Sequence, residues 1–124
     1  MRYLCLLFVL YAVSPQVCFA ADWTKTDKGS IRIDRFWEES FPNYNVVYVL
    51  VTYKNTTKRT FRTAVTIRAT ILDENKKKID MNHRSFFVWE IGLIEPDFES
   101  EVKIPIECAK GTAKYVSVVI EVAN

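Results

Sequence analysis

Phe61-Arg62-Thr63-Ala64-Val65-Thr66-Ile67-Arg68-Ala69-Thr70-Ile71-Leu72-Asp73 is the stretch on which the fold turns. Phe61, Val65, Ile67, Ala69 and Ile71 fall on one side of an extended chain, and Arg62, Thr66, Arg68 and Thr70 on the other. A period of two with one apolar side predicts a strand that lays one face on a core and the other in water. The same period continues outward in both directions. Candidate strands lie at 30-38, 44-55, 61-73, 77-82, 85-94, 99-108 and 113-123, and no stretch carries a helical stripe. The links are short and rich in turn formers: Asn55-Thr56-Thr57-Lys58, Asp73-Glu74-Asn75-Lys76, Glu95-Pro96-Asp97 and Ala109-Lys110-Gly111-Thr112. Parallel crossovers need a dozen residues or more, so these links predict antiparallel pairing. The expected fold is all-β, a seven-stranded antiparallel sandwich of the immunoglobulin or fibronectin-III type.

Within this scheme the strands differ in how they are covered. From Glu99 to Cys108, Val102, Ile104, Ile106 and Cys108 point inward, and Pro105, which cannot donate to a ladder, marks an edge strand or bulge. Tyr44 to Tyr53 is apolar on both faces, with Val47, Val49, Val51 and Tyr53 on one and Tyr44, Val46, Tyr48 and Leu50 on the other. In the segment 85-94, Phe87, Trp89, Ile91 and Leu93 are read as the inner series, and Phe86, Val88 and Ile94 as the outer one. A strand apolar on both sides is either covered or offered to a partner. The candidate partner surface is therefore Tyr44, Tyr48, Phe86 and Val88, with Phe36, Trp37 or Tyr115 as additions.

The N-terminus reads as an export signal. Arg2 precedes an apolar run from Tyr3 to Val13, Ser14-Pro15-Gln16 breaks it, and Val17-Cys18-Phe19-Ala20 presents small residues for cleavage after Ala20. An uncleaved anchor and a lipid-modified Cys18 are the alternatives, and membrane contact is expected only in those cases. The divisions are 1-20 signal, 21-29 flexible leader, in which Trp23 could cap the core, and 30-124 sandwich. Such a chain is expected in the periplasm or secreted. Without Arg2 the mature chain holds 16 basic and 15 acidic residues, a balance that gives no field for nucleic acid.

Reactive side chains are scarce. His83, in the turn-like Met81-Asn82-His83-Arg84, is the sole histidine, and Cys108 has no cysteine partner once the signal is gone. Cys108 is expected to be a free thiol that packs as a small hydrophobe, with an intermolecular disulfide or a thiol-dependent enzyme using His83 as alternatives. Glu38-Glu39 and the cluster Glu95, Asp97, Glu99 and Glu101 are candidates for an acid and base pair or a calcium loop, but the calcium-loop motif is absent and acids around strand ends serve solubility and block edge pairing. No cofactor is implied. Lys76-Lys77-Lys78 together with Lys54, Lys58, Arg59 and Arg62 could form one basic end, and Asn55-Thr56-Thr57 matches the N-glycosylation pattern in a surface turn.

The run Val47 to Thr57, the run Val65 to Ile79 containing Leu72-Asp73, and Ile94-Glu95-Pro96-Asp97-Phe98-Glu99-Ser100-Glu101-Val102 resemble the FxLYD-type immunoglobulin-like domains of bacterial envelope proteins. Leu72-Asp73 lacks that family's intervening Tyr, and Asp97 stands where Gly follows Pro. The resemblance implies an accessory extracytoplasmic sandwich without catalytic residues. The function expected is a non-enzymatic exported module that binds a protein or envelope component, with a homodimer as one form. A small-ligand or metal carrier is the alternative.

Overall fold

The alternating stretch forms β5 (Ala64–Leu72), in which Val65, Ile67, Ala69 and Ile71 are fully buried, as its period requires. In the computed structural model the described residues are 18–19, 23–109 and 113–123, with side chains described from residue 23 onward. β5 is the middle of a three-stranded antiparallel sheet, between β6 (Lys78–Phe87) and β8 (Tyr115–Ala123). The facing antiparallel sheet runs β1-β3-β4-β7, made of β1 (Cys18–Phe19), β3 (Gly29–Ser40), β4 (Asn45–Lys54) and β7 (Glu99–Cys108). Short β2 (Thr24–Thr26) also pairs with β3. The chain crosses between sheets from β4 to β5, from β6 to β7 and from β7 to β8, and the two inner faces interdigitate as a β-sandwich.

The core draws on both sheets. Ile31, Ile33, Phe36, Val47, Val49, Val51, Tyr53, Ile104 and Ile106 meet Val65, Ile67, Ile71, Phe86, Val116 and Val118. β7 is the edge expected from Pro105, and its inner series of Ile104, Ile106 and Cys108 is buried. β3 departs from simple alternation. Ile31 and Ile33 point inward, but the next inward residue is Phe36, because Asp34 is the extra residue of a bulge between Ile33 and Arg35.

Several expectations need correction. The strands read at 77-82 and 85-94 are one strand, β6, so His83 lies in mid-strand and exposed rather than in a turn. β6 ends at Phe87, and the one-turn helix α1 (Val88–Ile91) follows it. The inner and outer series of this segment are exchanged: Phe86 and Ile94 are buried, while Phe87, Trp89, Ile91 and Leu93 are exposed. Gly92, at φ 92°, closes that helical turn, and Phe61 and Ile94 form a bridge that fixes which residues turn inward. Because strand side chains alternate, an offset of one residue moves every one of them to the other face.

The leader read at 21-29 includes β2, and Trp23 lies under the Arg32 guanidinium at 4.7 Å on the outer face of its sheet, not over the end of the core. The two lysine-rich segments also separate. Lys58, Arg59 and Arg62 precede β5 and Lys76 to Lys78 follow it, so the nine residues of β5, about 30 Å, lie between them. The expected signal lies outside the described residues except for Cys18 and Phe19, which pair with Phe36 and Arg35. Cleavage after Ala20 would remove β1.

Candidate binding face

Of the four residues expected to form a partner surface, the sandwich keeps two outside. Tyr48 sits on the outer face of β4, stacked on Trp37 of β3 at 5.4 Å. Arg35 covers Trp37 at 4.5 Å and Lys103 covers Tyr48 at 5.3 Å, so the pair lies between two cations. Tyr44 is exposed in the β3–β4 turn and stacks on Phe41 at 5.2 Å. Phe86 is a correction: it is buried, edge-on to Phe98 at 5.6 Å and 6.0 Å from Tyr53. Val88, half-buried, packs against the same core, as does fully enclosed Phe36. Tyr115 is half-buried at the far end, under Lys76.

Tyr48 also borders a groove of about 350 Å³, lined by Val46, Tyr48, Asp80, Met81, Asn82, Pro105, Ile106 and Glu107. The groove forms where the edge of one sheet meets the edge of the other. The Asn82 Nδ2 donates to the Pro105 carbonyl at 2.7 Å and ties β6 to β7 across the seam. Pro105, having no N–H, leaves this edge without a donor at that position. The result is a half-apolar trough with the carboxylates of Asp80 and Glu107 at its rim.

On the same outer face, the bulge at Asp34 gathers a polar cluster. Arg32 Nε donates to Asp34 Oδ1 at 2.6 Å, and the Thr52 hydroxyl donates to Asp34 Oδ2 at 2.5 Å. Burial pushes the Asp34 carboxyl up, but hydrogen bonds from Thr52, Glu101 and Arg32 outweigh it and hold the group below its ordinary value. Glu101 moves the other way, raised first by its hydrogen bond to Asp34 and then by burial and the Asp34 charge. Among the described residues, no three His, Cys, Asp or Glu side chains converge as metal ligands.

Cys108 is buried at the inner end of β7, opposite Asn45. Burial pushes its thiol up to about 11, and the nearby Glu38 and Asp80 charges add to that shift. Very little thiolate therefore exists at neutral pH. Labelling of the native chain by iodoacetamide is expected to be at least about 100-fold slower than after unfolding, and equal rates would contradict this burial.

Asn55 was expected in a surface turn open to glycosylation, and the structure places it fully buried. Its Nδ2 donates to the carbonyls of Arg59 at 2.9 Å and Ile94 at 3.1 Å, and its Oδ1 accepts from the Thr57 N–H and hydroxyl. An attached glycan would displace these bonds, so the side chain knots two loops instead. The pattern Asn-Thr-Thr alone does not separate the two roles, because both use the affinity of Asn and Thr for turns.

No protein-family model matches the chain, and no curated protein matches it. Two solved structures superpose on it. A β-glucuronidase from glycoside hydrolase family 2 superposes with a TM-score of 0.56 at 12% identity, over 72% of this chain and 9% of that one. A DUF1425 family member from Shewanella sp. pv-4 matches at 8% identity and a TM-score of 0.45, over 88% of this chain and 97% of its own. The likeness to the β-glucuronidase shows the β-sandwich fold alone, since the chain spans 9% of that enzyme's length.

Proposed function

We propose that the chain is an exported, non-enzymatic β-sandwich that binds a protein segment of the cell envelope in an accessory or assembly role, as its resemblance to FxLYD-type domains implies. The observation that carries this reading is the stacked Trp37 and Tyr48 pair running into the groove beside it. Aromatic side chains at the lip of a concave site concentrate binding energy, and the Asp80 and Glu107 carboxylates suit a basic side chain on the partner. An inert Cys108 and an exposed mid-strand His83 favour binding over thiol chemistry.

Replacing Met81 with a photo-crosslinking phenylalanine analogue and irradiating intact cells is expected to trap one discrete partner. Asp80→Lys combined with Glu107→Lys, both at exposed positions, should leave the thermal midpoint unchanged and lower that adduct about tenfold. An adduct indifferent to the reversed charges, or none above background, would overturn the assignment.

A further inference from the structure

The last residue of β6 and the segment that follows it leave four large apolar side chains in solvent: Phe87 is 38% exposed, Trp89 78%, Ile91 48% and Leu93 44%. This is the series that alternation places inside, and the chain holds it outside by construction. The anchors Phe86 and Ile94 are buried at either end, and between them the Val88 N–H donates to the Thr63 carbonyl at 3.0 Å and the Gly92 N–H to the Val88 carbonyl at 2.8 Å. Phe61 and Ile94 exchange two backbone hydrogen bonds, at 3.0 and 3.1 Å. Phe87 and Trp89 stack at 5.6 Å. The patch therefore stands ready-made, with about 400 Å² of apolar side chain exposed.

Its borders carry opposite charge. From Phe87 to Phe98 the chain holds Glu90, Glu95 and Asp97 and no basic residue. The neighbouring loop, from Asn55 to Thr63, holds Lys58, Arg59 and Arg62 and no acidic one. The two loops are locked together by the Phe61 to Ile94 bridge and by Asn55, so the acidic segment that carries the apolar side chains runs beside a basic loop, in which Arg59 already donates to the Asp27 carbonyl at 3.0 Å and covers the Phe61 ring at 5.2 Å. An anionic bilayer would meet three carboxylates beside the inserting tryptophan. A surface with this layout is instead complementary to itself. Turned about a two-fold axis, it places apolar on apolar and the acidic loop of each copy against the basic loop of the other.

We propose that this end of the sandwich is the contact face of a homodimer, with Trp89 and Ile91 packed against their counterparts in a second copy. Two such patches with their charged rims reach the low end of specific interfaces, roughly 1,000 Å² in total, which corresponds to a dimer of about micromolar affinity that weakens with salt. The face is remote from the Trp37 and Tyr48 surface, so the two readings stand or fall separately.

Sedimentation velocity on the reduced protein, across a concentration series from about 1 to 300 μM, tests it. A reversible monomer and dimer equilibrium is expected. Trp89→Ala should weaken it at least about tenfold with the thermal midpoint unchanged, because the side chain touches little of its own core. Lys58→Glu and Glu90→Lys should each weaken the dimer, and an equimolar mixture of the two variants should restore it, since the heterodimer pairs opposite charges at both ends of the axis. A monomer throughout the series would overturn the proposal. So would a dimer indifferent to Trp89→Ala, a mixture that fails to recover, or Trp89-dependent binding of a monomer to phosphatidylglycerol vesicles.

Discussion

Gly29→Ala is expected to cost about 4 kcal/mol of folding stability, enough to lower the thermal midpoint by about 20 °C in a domain of this size. Gly29 begins β3 with φ 124°, a backbone conformation that residues with a Cβ rarely adopt. A Cβ there would stand 2.6 Å from the Tyr53 ring and 2.8 Å from the Lys54 carbonyl oxygen. Neither neighbour can give way cheaply. Lys54 is held in the ladder between β3 and β7, and Tyr53 is fully buried with its hydroxyl donating to the Lys28 carbonyl at 2.8 Å. Backbone strain and overpacking therefore add. Tyr53→Phe is the control, since it removes that hydrogen bond without introducing a clash, at about 1 kcal/mol. Urea unfolding of both variants provides the check, and a loss below about 1 kcal/mol for Gly29→Ala would show that the hairpin between β2 and β3 shifts freely.

Asn55→Ala is expected to be as severe, again about 4 kcal/mol, for a different reason. The substitution leaves the Ile94 carbonyl without its side-chain donor and the Thr57 N–H without its acceptor, at a position that is itself fully buried, while the Thr57 hydroxyl and the Arg59 carbonyl keep their bond to each other. Each buried polar group left unpaired costs about 1–3 kcal/mol. Asn55→Asp should be worse than Asn55→Ala at neutral pH, because it aims a buried carboxylate at two carbonyl oxygens. Urea midpoints ranking native above Ala above Asp would confirm the knot, whereas near-native stability of the Ala variant would remove it. Both variants should also weaken self-association, because Asn55 joins the basic loop to the segment that carries Trp89.

What could be read from the chain differs from element to element. The alternation of β5 and the inner series of β7 were legible because each has one apolar and one polar side, so hydrophobic burial admits one orientation. β4 shows apolar residues on both sides, and which side meets the core depends on the facing sheet. The β3 bulge left a trace in the spacing of Ile31, Ile33 and Phe36, where a step of three follows a step of two. The segment from Phe86 to Ile94 left the least. Nine residues with apolar side chains on both sides permit either orientation as a strand, and the trace of the break is Gly92.

The candidate surfaces follow the same division. Tyr48 and Trp37 are found together because consecutive strands of a hairpin pair in a register that the sequence largely specifies. The groove depends on β6 and β7, which belong to different sheets, and on the bond from Asn82 to Pro105, a contact that no local pattern announces. Asn55 belongs to the same class, since its partner Ile94 lies 39 residues away.

By itself the sequence determined the period of β5 and β7, antiparallel pairing, the sandwich class and the scarcity of reactive side chains, all of which are local properties of spacing and residue type. Only the tertiary structure decided that Phe86 is core and Phe87, Trp89, Ile91 and Leu93 are surface, that Asn55 is a buried knot, and that the two lysine-rich segments lie at opposite ends. The physical reason is that which face of a two-sided apolar segment is buried is set by long-range packing, here by the Phe61 bridge to Ile94 and the aromatic contacts of Phe86.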